Sequence, residues 1–240
     1  MVSGLQEVTA AILAGGLGTR LRPVVVDRPK VLAEIRGRPF LTYLLDQLAA
    51  TGIKYVVMCV GYLGEQVRVM LGDSYGDLQL VYSQESSPLG TAGALRLALP
   101  LLNSDPVLVL NGDSFCDLGL GALLAWHRAC KAAATMALVT TNDTRRYGRV
   151  HVDDEGVVVS FDEKGGNSNP GWINAGVYLL ARPLIQTIPE NRAVSLEREM
   201  IPVWIGKGLY GYRSEGRFLD IGTPEAYTAA EQFFAPKMRI

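Results

Sequence analysis

Leu13-Ala14-Gly15-Gly16-Leu17-Gly18-Thr19-Arg20-Leu21-Arg22-Pro23 follows an apolar run, Val8 to Leu13, that predicts a buried strand. Three glycines in four residues let the backbone come close to a bound group, because no Cβ stands in the way. Successive N–H groups in such a turn make an anion-binding concavity. Arg20, Arg22 and, further on, Lys30 add fixed positive charge. A strand that empties into glycines followed by cations fits a polyphosphate. A tight turn with two solvated arginines is the plainer alternative. Neither common phosphate loop matches. A P-loop needs G-x-x-x-x-G-K-[ST], and here Gly18 is followed by Thr19-Arg20. A dinucleotide turn needs G-x-G-x-x-G, and Leu21 stands where the third glycine belongs.

Working outward, Leu41, Leu44, Leu45 and Leu48 recur at helical spacing behind Pro39, and Gly52 suits the stop. Tyr55 to Val60 is a continuous apolar run, the mark of a strand covered on both faces. Residues 64–71 predict a short helix. Leu95, Ala98, Leu99 and Leu102 give another helical face, and residues 118–132 a third long helix. Strands are predicted at 78–82, 107–110 and 134–140. The series βαβαβαβ predicts an α/β fold, a three-layer, Rossmann-like, mainly parallel mixed sheet. Ligands of such sheets sit beyond the carboxyl ends of the strands. The glycine turn and Asp113, after Val107-Leu108-Val109-Leu110-Asn111-Gly112, both occupy that position. Beyond residue 140 the pattern becomes more antiparallel. Strands are predicted at 149–152, 157–161, 173–180, 210–213 and 218–221, and helices at 195–205 and 224–234. No repeat or linker interrupts the 240 residues, so one domain over residues 1–240 is expected.

Bulk composition excludes several functions. The chain carries 23 basic and 24 acidic residues, a formal net charge of −1, which gives no basic balance for a nucleic-acid backbone. No apolar run approaches the ~18 residues of a membrane span, and no signal peptide is expected at the N-terminus. Cys59, Cys116 and Cys130 are an odd, scattered set without C-x-x-C, so neither a disulfide framework nor a zinc site is expected. A reducing cytoplasm fits this usage.

A polyphosphate site needs carboxylates for Mg²⁺, which takes one or two of them besides substrate oxygens. Asp113 and Asp220 each end a short strand. Each has a structural alternative, a turn cap before Leu118 and a helix-entry residue before Pro224. Lys164 follows Phe161-Asp162-Glu163 and precedes two glycines, so it either grips a second phosphate or is a solvated loop lysine. Tyr147-Gly148 and Asn174-Ala175-Gly176 offer hydrogen bonds to a polyol, or form an ordinary turn and a satisfied buried amide. His127 reads as a residue of a polar helix face and His151 as a strand residue. G-x-S-x-G is absent, so a hydrolase triad is unsupported.

Taken as a set, these blocks resemble the sugar-1-phosphate nucleotidyltransferase family. The resemblance rests on Gly15 to Pro23, Pro29-Lys30, Pro88-Leu89-Gly90-Thr91-Ala92-Gly93-Ala94-Leu95 and Asn111-Gly112-Asp113. It continues through Glu163-Lys164, Asn174-Ala175-Gly176-Val177-Tyr178, Ser195-Leu196-Glu197 and Asp220-Ile221-Gly222-Thr223-Pro224. The blocks keep the family's order and span nearly the whole chain. A finer likeness, through Arg146-Tyr147-Gly148, Trp172 to Leu180 and Phe218 to Pro224, is to the D-glycero-D-manno-heptose 1-phosphate guanylyltransferases.

The resemblance implies an enzyme that joins a nucleoside triphosphate, GTP by preference, to a sugar 1-phosphate, giving an NDP-sugar and pyrophosphate. Residues up to about 140 would bind nucleotide, and about 141–240 the sugar phosphate. Leu13, Ala14, Gly15, Gly16, Gly18 and Thr19 would cradle the nucleotide, with Gln84, Gly90 and Thr91 at the base. Arg20 and Lys30 would hold phosphates, and Asp113 and Asp220 would bind Mg²⁺. Lys164 would grip the sugar phosphate, and Tyr147, Gly148, Glu163, Asn174 and Glu197 would read the sugar. The implied partners are these two substrates, with room for a homo-oligomer and no nucleic acid or membrane. Mannose-1-phosphate guanylyltransferases and glucose-1-phosphate thymidylyl- or uridylyltransferases are sister readings, and a non-catalytic nucleotide sensor a distant one. Ala175 stands where many heptose enzymes have glycine, and its methyl is expected to narrow the sugar pocket. No hexapeptide-repeat acetyltransferase half is expected.

Overall fold

The structure, a computed structural model, describes residues 4–16, 18, 21, 25, 27–162 and 169–236. In chain order it runs β1 (Ala10–Leu13), β2 (Glu34–Ile35), β3 (Arg38–Pro39), α1 (Phe40–Ala50), β4 (Tyr55–Val60), α2 (Gly64–Leu71), β5 (Ser74–Tyr75), β6 (Leu78–Gln84) and α3 (Gly90–Ala98). Next come β7 (Val107–Asn111), β8 (Ser114–Cys116), α4 (Leu120–Ala129), β9 (Ala134–Thr141), β10 (Arg149–Val152), β11 (Val158–Asp162) and β12 (Gly171–Leu180). The chain ends in α5 (Arg182–Gln186), α6 (Ile201–Trp204), β13 (Leu209–Arg213), β14 (Phe218–Asp220) and α7 (Pro224–Phe233). Among the described residues no helix is long and apolar enough to cross a membrane.

The main sheet is mixed and mostly parallel, with β7, β1, β4 and β6 side by side and parallel. The registered row Asn111–Leu13–Cys59–Ser83 crosses all four strands near their carboxyl ends. The strands are two-faced because side chains alternate. Ala10 and Ile12 of β1, with Val56, Met58 and Val60 of β4, pack into the core under α1 and α4. Ala11, Val57 and Cys59 pack into the opposite core, with α3 and the 196–204 helical segment. This produces the three layers expected from the apolar runs.

The predicted alternation of strands and helices holds, but the strand predicted at 134–140, β9, does not extend the parallel row. β12 inserts antiparallel between β7 and β9, and β13 then pairs parallel with β9. The ten-residue β12 is what allows this. Ile173, Ala175, Val177 and Leu179 feed one core, while Tyr178 and Leu180 feed the other.

A second departure shapes the site. Ser114-Phe115-Cys116 is a strand rather than part of the approach to a helix. It pairs antiparallel with β14, so that Asp220 lies opposite Ser114. The helix predicted at 195–205 divides into a π-helical turn, Leu196–Met200, and α6. Ser195 caps it, its Oγ accepting from the Arg198 N–H at 3.1 Å. His127 is not on a polar face. It is 5% exposed, and its Nδ1 lies 2.9 Å from Thr135 Oγ1.

Candidate active site

Beyond the strand ends the parallel ladder persists for a further residue. Gly112 N–H donates to the Leu13 carbonyl, Ala14 N–H to the Cys59 carbonyl and Glu85 N–H to the Val60 carbonyl. Asp113, Gly15, Gly61 and Glu85 therefore stand at one level, each two residues past the registered row. Above them lies a cleft of about 560 Å³. It is lined on this side by Leu13, Ala14, Gly15, Gly16 and Gly18, and on the far side by Tyr147, Gly148, Asn174 and Glu197. Gly18 adopts φ +60°, a left-handed conformation that glycine favours, and packs against Lys30, its Cβ position 3.2 Å from Lys30 Cβ.

Lys30 begins the short helical turn Lys30–Leu32, and its side chain is only 9% exposed. Its Nζ donates to Asp113 Oδ2 at 2.8 Å and lies 3.7 Å from Asp220 Oδ1. The β8–β14 ladder brings these two aspartates together, and Ile221 N–H donates to the Asp113 carbonyl. Asp220 Oδ1 is further fixed by the Gly222 N–H at 2.7 Å.

Two side chains absent from the sequence prediction sit beside this group. Asn111 Oδ1 and Ser114 Oγ are buried and have no hydrogen-bond partner among the described residues, and both residues line the cleft. Gly176, at φ +70°, lies over them, with a Cβ position 2.6 Å from Ser114 Oγ. Buried polar atoms without partners are uncommon in native proteins. Two carboxylates converging on one ammonium, with spare oxygens alongside, are the hard donor set that Mg²⁺ takes. Among the described residues no group of three or more acidic, histidine or cysteine side chains is gathered, so substrate oxygens or water would complete any such shell. The signal for Asn111 and Ser114 is their place on either side of Gly112-Asp113.

On the sugar-facing side a polar network surrounds Glu197. Thr91 Oγ1 donates to Glu197 Oε2 at 3.0 Å and accepts from the Leu196 N–H at 2.7 Å. Tyr178 Oη donates to Glu197 Oε1 at 3.4 Å and accepts from Asn174 Nδ2 at 2.5 Å. Burial, then the neighbouring Glu197 charge, holds the Tyr178 phenol well above its usual range, so it stays a neutral donor. Burial also raises Tyr147, whose ring packs edge-on against Phe218 at 5.5 Å. Gly148 is pressed against the Phe161 ring, its Cβ position 2.4 Å from Cζ.

Of the other expected residues, Gly90 and Thr91 line the cleft at the start of α3, with the Thr91 hydroxyl committed to Glu197. Gln84 is exposed and outside the cleft lining, its amide donating to the carbonyls of Gly61 at 3.0 Å and Glu85 at 3.2 Å. Thr19, Arg20, Glu163 and Lys164 lie outside the described residues. Ala175 does not narrow the cleft. It is fully buried in the core under α1, because strand alternation sends its methyl away from the side that Asn174 and Gly176 present. Neither histidine lines the cleft.

A glycine turn, a lysine held between two carboxylates and a polar network in one cleft, beyond the carboxyl ends of a mainly parallel sheet, define an α/β nucleotide-binding protein with an acidic centre. The chain belongs to the nucleotidyl transferase family, which it matches over residues 9–237. It is 39% identical over 225 residues to the mannose-1-phosphate guanylyltransferase of Mycobacterium tuberculosis, covering 92% of this chain and 63% of that protein. It is 36% identical over 224 residues to the D-glycero-alpha-D-manno-heptose 1-phosphate guanylyltransferase of Aneurinibacillus thermoaerophilus, covering 93% and 96%. The fold matches crystalline HddC from Yersinia pseudotuberculosis complexed with GMP-PN at a TM-score of 0.83 and 30% identity, over 95% of this chain and 99% of that one.

Proposed function

We propose that this chain joins GTP to D-glycero-D-manno-heptose 1-phosphate, releasing pyrophosphate and the GDP-sugar. The observation that carries the reading is the Lys30–Asp113–Asp220 cluster, set in one cleft between the glycine turn and the Asn174–Tyr178–Glu197 network. Guanine is favoured by the names of the relatives, since those acting on mannose and on heptose are both guanylyltransferases. Mannose 1-phosphate is the second reading, on the 39% identity to the mycobacterial protein. The chain works as one domain, its first half on the nucleotide and its second on the sugar phosphate. A reducing, cytoplasmic setting belongs to the proposal, and the unpaired Cys59, Cys116 and Cys130 support it.

In this mechanism a phosphate oxygen of the sugar 1-phosphate attacks the α-phosphorus in line with the departing pyrophosphate. A new P–O bond forms as the bond to the β-phosphate oxygen breaks. A phosphate monoester has its second pKa near about 6, so the nucleophile is anionic at neutral pH and needs no general base. His127 is buried against Thr135 and His151 pairs with Asp162, away from the cleft. The obstacle is repulsion between two polyanions, so catalysis rests on positioning and charge stabilisation. Mg²⁺, held by Asp113 and Asp220, would neutralise triphosphate charge. Lys30 donates to phosphate oxygens from the cleft wall. Arg20 and Lys164 take the same role on the nucleotide and sugar phosphates, and Glu197 and Asn174 orient the sugar hydroxyls.

The test is a panel of GTP, ATP, UTP and dTTP against heptose, mannose and glucose 1-phosphates with Mg²⁺, read by pyrophosphate release. GTP with the heptose substrate is expected to turn over fastest. Release from no pair refutes the transferase reading, and a preference for dTTP or UTP with glucose 1-phosphate moves the chain to a sister activity.

A further inference from the structure

Glu197 lines the cleft from a π-helical turn in the second half of the chain, yet the segment that carries it is anchored on the first half. Residues 192–197 run along the start of α3. Val194 N–H donates to the Leu89 carbonyl at 2.8 Å, and the Val194 carbonyl accepts from the Ala92 and Gly93 N–H groups at 3.0 and 3.2 Å. A free helix N-terminus beside a cleft is ordinarily an anion site. Here two of its N–H groups hold a backbone carbonyl instead. The approach is close enough to dictate two residues of α3. A Cβ on Gly90, which adopts φ +70°, would lie 2.6 Å from the Val194 oxygen, and one on Gly93 would lie 3.0 Å from the Arg192 oxygen.

Thr91 carries this seam into the site. Its Oγ1 accepts from the Leu196 N–H at 2.7 Å and donates to Glu197 Oε2 at 3.0 Å. The hydroxyl has a single proton, and that proton is spent on the carboxylate. Among the described residues two other hydroxyls approach the same carboxylate, Ser195 Oγ at 3.5 Å and Tyr178 Oη at 3.4 Å. Both lie beyond the ordinary O–H···O length of about 3.0 Å or less. Thr91 is thus the hydroxyl that holds Glu197 at normal bonding distance. A glutamate side chain has several rotatable bonds, and fixing it before a ligand arrives removes an ordering cost from binding. The lone pairs left over on the carboxylate are free to accept from a ligand hydroxyl.

We infer that Thr91 is a positioning residue for the sugar phosphate, acting through Glu197 and not on the nucleotide. This rests on the proposed transferase reading, in which Glu197 orients sugar hydroxyls. A residue that the resemblance places at the base thus serves the sugar side, because its only donor is already committed across the seam. A hydrogen bond to a charged group is worth roughly tenfold to a hundredfold in an equilibrium constant. Valine at this position keeps the shape of threonine and leaves the backbone clamp on Val194 in place. It removes only the acceptor for Leu196 and the donor for Glu197.

The experiment compares wild type, Thr91→Val and Thr91→Ser, each also in a Glu197→Ala background. Binding of GDP and of GDP-mannose is measured by calorimetry with Mg²⁺. GDP-mannose carries the pyranose ring that mannose and the heptose share, and GDP lacks it. Steady-state assays with GTP and the heptose or mannose 1-phosphate give the separate KM values. Thr91→Val is expected to weaken GDP-mannose at least tenfold and to leave GDP within about twofold, which also shows that the variant is folded. KM for the sugar phosphate should rise at least tenfold, with KM for GTP within about twofold. Thr91→Ser returns the hydroxyl and is expected to regain most of the loss. In the Glu197→Ala background the valine should cost less than about threefold, since the group that it releases is gone. An equal loss on GDP and GDP-mannose overturns the proposal and returns Thr91 to the nucleotide. A serine variant no better than valine, or a full valine loss without Glu197, overturns it as well and leaves Thr91 a structural clamp. The expected GDP-mannose losses without pyrophosphate release from any pair uphold the inference and overturn the transferase reading instead.

Discussion

Lys30 donates through Nζ to Asp113 Oδ2 at 2.8 Å, with Asp220 Oδ1 at 3.7 Å on its other side. The three come from separate parts of the chain and meet because Lys30 opens a helical turn beneath the glycine loop, while β8 and β14 pair. The ammonium sets one positive charge against two carboxylates at the cleft wall. Lys30→Met removes that charge and keeps the stem's bulk. Loss of a comparable electrostatic group costs roughly 100- to 1000-fold in rate. A drop of at least 100-fold in kcat/KM is expected, with circular dichroism unchanged. Near-wild-type turnover by the folded variant would remove Lys30 from the phosphate-binding role.

The two aspartates are expected to differ in how they fail. Asp113 is the more open, its side chain 42% exposed against 18% for Asp220. Asp220 also accepts the Gly222 N–H, so its carboxylate is fixed before any ligand arrives. Asp113→Asn should lower turnover at least 100-fold at saturating Mg²⁺. Asp220→Asn keeps an oxygen for the Gly222 N–H and should mainly raise the Mg²⁺ concentration for half-maximal rate. Chelation with EDTA should abolish activity in the wild type, and added Mg²⁺ should restore it. Full activity in EDTA would rule out a role for the metal.

Activity and stability should depend on acid for different reasons. The rate is expected to fall on the acid side near about pH 6, as the attacking phosphate becomes a monoanion. His127→Gln should leave that limb in place, because the imidazole is buried away from the cleft. Stability is another matter. Burial lowers the His127 pKa from 6.5 to about 4. Between those values the unfolded chain binds a proton that the folded chain refuses, so stability present above pH 6.5 is lost as pH falls toward 4. At 1.36 kcal/mol per unit the loss is at most about 3 kcal/mol. Thermal midpoints from pH 7.5 to 4 should fall less steeply for His127→Gln. Equal slopes would mean that other groups carry the acid sensitivity.

Much of this site is legible in the chain because strand ends are legible. Tyr55–Val60 and Val107–Leu110 are continuous apolar runs, and residues just past the carboxyl end of a buried parallel strand face a ligand. That logic locates the glycine turn and Asp113. It does not locate β8, since Ser114-Phe115-Cys116 is too short to carry a period, and its pairing with β14 spans about a hundred residues. The partnerless oxygens of Ser114 and Asn111 are invisible to any pattern, because burial of one polar atom depends on what packs over it. The family resemblance names Gln84, whereas the side chain that lines the cleft is that of Glu85, its neighbour at the same strand end. The register decides between them: a one-residue shift along a strand end reverses which side chain faces the cleft.

Ala175 gives the sharpest case of that alternation, and it bears on sugar choice. An extra methyl between Asn174 and Gly176 reads as a wall of the sugar pocket. In the fold it lies on the opposite face of β12, fully buried among core side chains, while its two neighbours line the cleft. Ala175→Gly should therefore leave the ratio of kcat/KM for heptose to mannose 1-phosphate within about twofold of wild type. It should instead destabilise the fold by roughly 1 kcal/mol, because a glycine inside a strand loses more backbone entropy and a buried methyl is removed. Urea unfolding checks the stability and a two-substrate competition assay checks the ratio. A change in sugar preference with unaltered stability would put the Ala175 methyl in the pocket after all. Residues expected to move the ratio are those on the cleft face and the side chains that hold them, and Tyr178→Phe is the cleanest of the latter, since Tyr178 is buried behind Asn174 and Glu197. It removes the hydroxyl that links Asn174 to Glu197, so KM for the sugar phosphate should rise several-fold while KM for the nucleotide stays nearly constant.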